Sequence, residues 1–316
     1  MKLRLALLLP LVLTATAGLA QTNPLLFVVN KAEDTLSVID THSLRETHRI
    51  TVGGNPHEMA VTPDGRKAYV VNAGGNSISV IDLETYAETK RITHPDFSFP
   101  HGVAFTSDSR RALVTSERSG KIFLIDATND EVLRAIDTDQ GGTHMAAVDT
   151  AGEWAYFSNR ESNTISFMDL ENYEIVANVA VGEGAEGFAL SPDSREIWVS
   201  ERNAGTVSVV DVPGQRVVAR VDIGPRPNRV SFTPDGRHVV IPLTAGDVAV
   251  FDRATRERVG ELRVGEGPGG IVASPDGKRM FVASGSTGSI DIIDTDNWVV
   301  TDRIPVGQGP DGLAIR

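Results

Sequence analysis

The sequence has no cysteine. That excludes disulfides, thiol catalysis, haem attachment through a Cys-x-x-Cys-His sequence and lipid anchoring at an N-terminal cysteine. Basic residues are scarce relative to acids, Lys+Arg 30 against Asp+Glu 42, for a net charge of −12. Such a surface repels phosphate backbones and no basic run overrides it, so nucleic acid is excluded as a partner. Beyond residues 1–20 there is no apolar run long enough for a membrane span. Sustained 3.6-residue periodicity with caps is also missing, so helix is expected to be negligible. Walker, dinucleotide-fingerprint and G-x-S-x-G sequences do not occur.

Residues 1–20 read as a secretory signal peptide. Lys2 and Arg4 precede the apolar "LALLLPLVL", and "TATAGLA" supplies small residues before Gln21. Cleavage is expected after Ala20, with Ala17 as the alternative. The mature part, residues 21–316, is expected in the periplasm or secreted, as a monomer. At 41% hydrophobic residues it has enough apolar content to fold on its core alone.

What is present is one unit repeated seven times. An aspartate ends an apolar run at Asp40, Asp82, Asp126, Asp169, Asp211, Asp252 and Asp294, with spacings of 41 to 44 residues. A second marker keeps the same period: His57, His101, His144, Glu186, Asn228, Gly269 and Asp311. Each unit reads as four short strands. In residues 56–94, "HEMAVT", "KAYVVN", "SISVID" and "AETKRIT" are β-rich or alternate with period two, and turn signals separate them. In the "PDG" turns, proline presets φ, aspartate bonds the backbone ahead and glycine accepts positive φ. Asp64, Asp235 and Asp276 are therefore turn residues, and the seven recurrent aspartates are expected to bond within their blades.

Seven such units predict an all-β fold, a seven-bladed β-propeller of four-stranded antiparallel blades. The first unit lacks its first strand and "DGLAIR" is a first strand without a sheet, so pairing Gly312–Arg316 with Leu25–Asn30 closes the ring. "YVVN", "SISVIDLET", "PHGVAFTSD" and "TISFMDLEN" resemble the YVTN-repeat β-propellers, mostly secreted or periplasmic bacterial proteins, over residues 25–316. That resemblance implies kinship with propeller lactonases and with haem-d1-binding propellers, and does not choose among their functions.

In such propellers the first strand of each blade lines the axis. The second marker then lies at the axial mouth, once per blade. His57, His101, His144 and Glu186 fall in four consecutive blades. Three imidazoles and a carboxylate suit copper, zinc or iron if they converge. Alternation works against this, because Met59 and Val61 share a strand face with His57 and should pack towards a neighbouring blade. The adjoining rim offers Asn72, Arg118, Asn159, Arg160, Glu201 and Arg202 to a small ligand or protein partner. Phe97 and Phe99 in "THPDFSFPH" are expected to cover a pocket or to pack beneath it. The expected function is a non-enzymatic binding or scaffolding propeller working at the axial mouth. One alternative is a transition-metal protein built on the histidines. The other, implied by the family resemblance alone, is a lactonase-like hydrolase using Glu186, Arg160 and Arg202.

Overall fold

Valine, isoleucine and aromatic residues alternating with polar ones can bury one or both faces of a pleated ribbon. Among the described residues the chain does this twenty-eight times. A computed structural model describes residues 24–316; the expected signal peptide, residues 1–20, lies outside the described residues. Among the described residues there is no helix, and hence none long and apolar enough to cross a membrane.

The strands form seven four-stranded antiparallel sheets, the blades of a seven-bladed propeller. Blade two shows the plan: Pro56–Val61, Lys67–Asn72, Ser77–Asp82 and Ala87–Thr93 run in order from the axis outwards. Blades three to seven repeat it, beginning at Pro100–Phe105, Thr143–Val148, Ala185–Leu190, Ser231–Phe232 and Pro268–Ala273. The inner strand of blade six is cut to two residues; Pro225 and Pro227 precede it and lack the N–H groups a ladder needs. Blade one is closed in the expected way. Pro310–Ile315 pairs with Leu25–Asn30 in the register Leu26↔Ile315, Phe27↔Ala314 and Val28↔Leu313. Leu25 and Arg316 exchange both backbone hydrogen bonds, at 2.8 and 3.0 Å. Closure removes the open edges a linear array would present.

Apolar faces of adjacent blades form the core. Tyr69, Val71, Ile78 and Val80 of blade two meet Val103, Phe105, Val114 and Phe123 of blade three. Trp198 is fully buried against Phe232 and Phe251. The turns work as the sequence predicts. Thr62 donates to Asp64 at 2.6 Å, with Thr233–Asp235 and Ser274–Asp276 alike, and Gly65, Gly236 and Gly277 take φ near +70°. Asp40 and Asp82 accept backbone N–H bonds from the turns that follow them.

Candidate functional site

The inner strands carry a β-bulge at the second marker. Pairing shifts register between Pro56 and Glu58, Pro100 and Val103, Thr143 and Ala146, Ala185 and Phe188, and Pro268 and Ile271. A bulge inserts an unpaired residue and re-aims its side chain. This corrects the expectation that alternation turns His57 sideways. Met59 packs into the core between blades, whereas the His57 ring lies 5.0 Å from that of His101, which lies 3.7 Å from that of His144.

Hydroxyls on the second strands hold the bulges in place. Thr115 takes the Gly102 N–H of its own blade at 2.8 Å and donates to the His144 carbonyl of the next at 2.6 Å. Ser158 does the same between Met145 N–H and the Glu186 carbonyl, at 3.2 and 3.1 Å. Blades three and four thus fix their neighbours' marker residues, His144 and Glu186.

Glycine makes room for this approach. A Cβ on Gly102 would lie 2.6 Å from the His144 carbonyl oxygen, and one on Gly187 or Gly312 would lie 2.6 Å from the Asn228 or His57 carbonyl. Following the marker around the ring, the next residue is Gly312, Glu58, Gly102, Met145, Gly187, Arg229 and Gly270. Small and large residues alternate, and the large ones fill the axis. Arg229 Nε donates to Glu58 Oε1 at 2.9 Å and Nη2 donates to the same oxygen. Burial raises the Glu58 carboxyl above its ordinary value even with Arg229 beside it. Burial would lower Arg229, but Glu58, Asp311 and Glu186 hold it charged.

Above this floor opens a cavity of 440 Å³. One wall carries the chemistry of blades two to five. The opposite wall includes Gly267, Gly269 and Gly285, which leave the volume free of side chains. His101 and His144 are each 2% exposed. His144 Nδ1 lies 2.9 Å from Glu117 Oε2, so a proton on Nδ1 leaves the Nε2 lone pair free. His144 Nε2 and His101 Nδ1 are buried and have no hydrogen-bond partner. One ligand atom each from His101, Glu117 and His144 lies within 4.8 Å of the others. Burial pushes His101 well below the usual imidazole range, with His144 and Arg229 adding to it. It is neutral at pH 7. Burial opposes ionisation of Glu117 too, but His144 and Arg160 hold its carboxyl below the ordinary value.

The expected set of His57, His101, His144 and Glu186 is redrawn by this geometry. His57 stands beside the others, but its Nε2 bonds Asn55 Oδ1 at 3.0 Å and its Nδ1 faces Asp311 Oδ2 at 3.5 Å. Glu186 is claimed by guanidiniums: Arg160 Nε at 2.8 Å, Arg202 Nη1 at 3.1 Å and Arg229 Nη1 at 3.7 Å. Burial would raise its carboxyl, but the His144 contact and the arginines hold it far below the usual carboxylate range. Glu117, one residue beyond the strand Arg111–Ser116, is the carboxylate that joins His101 and His144.

The rim residues divide. Arg118, Arg160 and Arg202 stay at the mouth; the Arg118 guanidinium lies 4.3 Å over the Phe99 ring. Phe99 lines the cavity, while Phe97 packs beneath on Phe123 at 4.6 Å. Asn72, Asn159 and Glu201 are corrected to structural roles. All three are fully buried. Asn72 bonds Ser77 and Ser79, Asn159 bonds Thr164 and Ser166, and Glu201 accepts from Thr206 and Ser208. A second-strand end points into its own blade.

Glu58, Glu117 and Arg229 were not among the residues singled out in the sequence. Their signal was departure from the repeat. Glu117 sits where other blades carry Lys31, Ala73, Arg160, Arg202, Thr244 and Gly285, a position with no consensus. Glu58 and Arg229 occupy the slot that glycine fills in four blades.

Two family models match parts of the chain, the YNCE-like beta-propeller over residues 3–95 and the cytochrome D1 heme domain over residues 106–221. No curated protein matches the sequence. Among solved structures it is similar to Kuenenia stuttgartiensis hydrazine synthase, with TM-score 0.76, 19% identity, and coverage of 84% of this chain and 91% of that one. A functionally unknown protein from Desulfotomaculum acetoxidans DSM 771 gives TM-score 0.80 at 13% identity, covering 92% and 98%. Dihydro-heme d1 dehydrogenase NirN in complex with DHE gives 0.68 at 18%, covering 89% of this chain and 63% of that one. At these identities the likeness is one of fold. The YVTN repeat is a looser likeness than the two matching families. With its seven four-stranded blades, the chain is a seven-bladed β-propeller that is similar, over parts of its length, to the YNCE-like beta-propeller and the cytochrome D1 heme domain.

Proposed function

We propose that the protein is a periplasmic binding propeller whose axial cup holds a transition-metal ion through His101, His144 and Glu117. The observation that carries this reading is that one ligand atom each from His101, His144 and Glu117 lies within 4.8 Å of the others, with a nitrogen on each buried imidazole that makes no hydrogen bond. Buried polar atoms are ordinarily paired, and leaving one unpaired costs roughly 1–3 kcal/mol. Two imidazoles and a carboxylate suit zinc, copper and ferrous iron.

The cytochrome D1 heme domain match and the fold likeness to NirN favour a second reading, in which a haem-related group occupies the cup in place of the bare ion. The cup has the parts for one: imidazoles for a metal, Arg160 and Arg202 for acidic substituents, and the wall of Gly267, Gly269 and Gly285 for a flat body. Bound there, such a group would supply redox chemistry; these residues hold it and shield it from water. A hydrolytic role has less support, because the guanidiniums around Glu186 make it a weak base.

Protein purified without a tag or chelator should carry, or take up on titration with copper, zinc or ferrous iron, about one ion per chain. His101→Ala should weaken uptake by more than the ~10- to 100-fold that loss of an outer-shell partner costs. No ion by elemental analysis and no affinity on titration would remove the reading.

A further inference from the structure

The cup faces a charge problem once a cation enters. Its cations are Lys31, Arg160, Arg202 and Arg229; its carboxylates are Glu58, Glu117, Glu186 and Asp311. All but Glu58, which lies in the floor beneath, line the cup. A divalent ion on His101, His144 and Glu117 adds two positive charges to a cup whose lining already holds at least as many cations as carboxylates. Uncompensated buried charge is strongly unfavourable. Three protein ligands also leave at least one position on the ion open.

The arginines show where the compensation enters. Arg229 is committed to Glu58 and Asn228, and Arg160 divides its guanidinium between Glu117 and Glu186. Arg202 makes a single side-chain hydrogen bond among the described residues, Nη1 to Glu186 Oε1. A guanidinium has five N–H donors, and the Arg202 side chain is 23% exposed at the mouth.

From this we infer that the loaded cup takes a small anionic ligand, a carboxylate or an inorganic oxyanion, with one oxygen on the metal's open position and the rest of its charge on the free donors of Arg202. The inference rests on the metal reading above and adds the class of the second ligand. No bond to carbon or phosphorus is made or broken; the anion displaces water from the ion. Glu186 keeps Arg202 aimed at the mouth, which makes Glu186 a positioning residue.

Copper(II) uptake is measured first, by titration of tag-free protein. The copper-loaded and metal-free forms are then titrated with formate and with inorganic phosphate, following the copper visible and EPR spectra and the heat of binding. At least one of the two anions should bind the loaded form about 10-fold more tightly than the metal-free form. Arg202→Met should lower that affinity about 10-fold, as expected for a charge-assisted hydrogen bond, and Arg202→Lys should recover part of it. Formate alone identifies a carboxylate and phosphate alone an oxyanion. Copper bound with no preference for either anion, or an unchanged affinity in Arg202→Met, would overturn the inference while leaving the metal site standing. No copper uptake would overturn both.

Discussion

Arg229 and Glu58 stand 171 positions apart in the chain, and their side chains meet on the propeller axis, with Arg229 Nε 2.9 Å from Glu58 Oε1. One comes from blade six and the other from blade two. The pair closes the floor of the cup, so that ligands enter from one rim. Removing one partner strands a buried charge. Arg229→Met should therefore cost about 3–5 kcal/mol in urea unfolding, whereas the double variant Glu58→Met with Arg229→Met should return to within about 2 kcal/mol of the parent. Equal losses in the single and double variants would show that packing, not charge, decides the axis.

The glycines of the inner strands make a second prediction. A Cβ on Gly270 would run into the Asp311 carbonyl, and one on Gly102 into that of His144, whereas at Gly54 the nearest atom is 3.7 Å away. Gly102→Ala and Gly270→Ala should lower stability by about 1–3 kcal/mol or more, and Gly54→Ala by less than about 0.5 kcal/mol. Thermal melts of the three variants compare them directly.

Acid should weaken the metal-free fold through His57. Burial lowers its pKa from 6.5 to about 4; Asp311 opposes this, and Lys31, Arg229 and His144 add to it. The unfolded chain therefore gains this proton first as pH falls. The stability tied to neutral His57 is complete above pH 6.5 and is lost between 6.5 and about 4, on the order of 3 kcal/mol in all. His101 acts in the same direction. Urea midpoints should fall less steeply with acid in His57→Gln than in the parent; parallel slopes would refute the assignment.

Asn72 tests the division of the rim. Its amide lies inside blade two, bonded to Ser77 and Ser79. Asn72→Ala should lower stability by about 1–3 kcal/mol and leave metal uptake at the mouth as in the parent. A loss of uptake without loss of stability would return Asn72 to the binding surface.

Ring closure predicts the effect of removing residues 310–316. The edge of Leu25–Asn30 would then lie open, losing the pairs with Leu313, Ala314 and Ile315. Unfolding should become less cooperative, and size-exclusion chromatography should show association through the bared strand. A truncated chain that melts and elutes like the parent would mean that this strand does not hold the ring.

The sequence by itself determined the wheel. Period-two alternation, the aspartates of the turns and the two markers are local properties, and local hydrogen bonding enforces them, so seven blades and their closing strand were legible. It also placed His57, His101 and His144 at equivalent positions. Only the tertiary structure decided where those side chains aim. The bulge at the blade-two marker overturned the simple alternation that would have turned His57 aside, and hydroxyls of neighbouring blades hold the bulges at His144 and Glu186. Glu117 and the Glu58–Arg229 pair were hidden for the same physical reason. A repeat specifies what the blades share, whereas a site at the hub is made from what each blade does differently, brought within reach only when the ring closes.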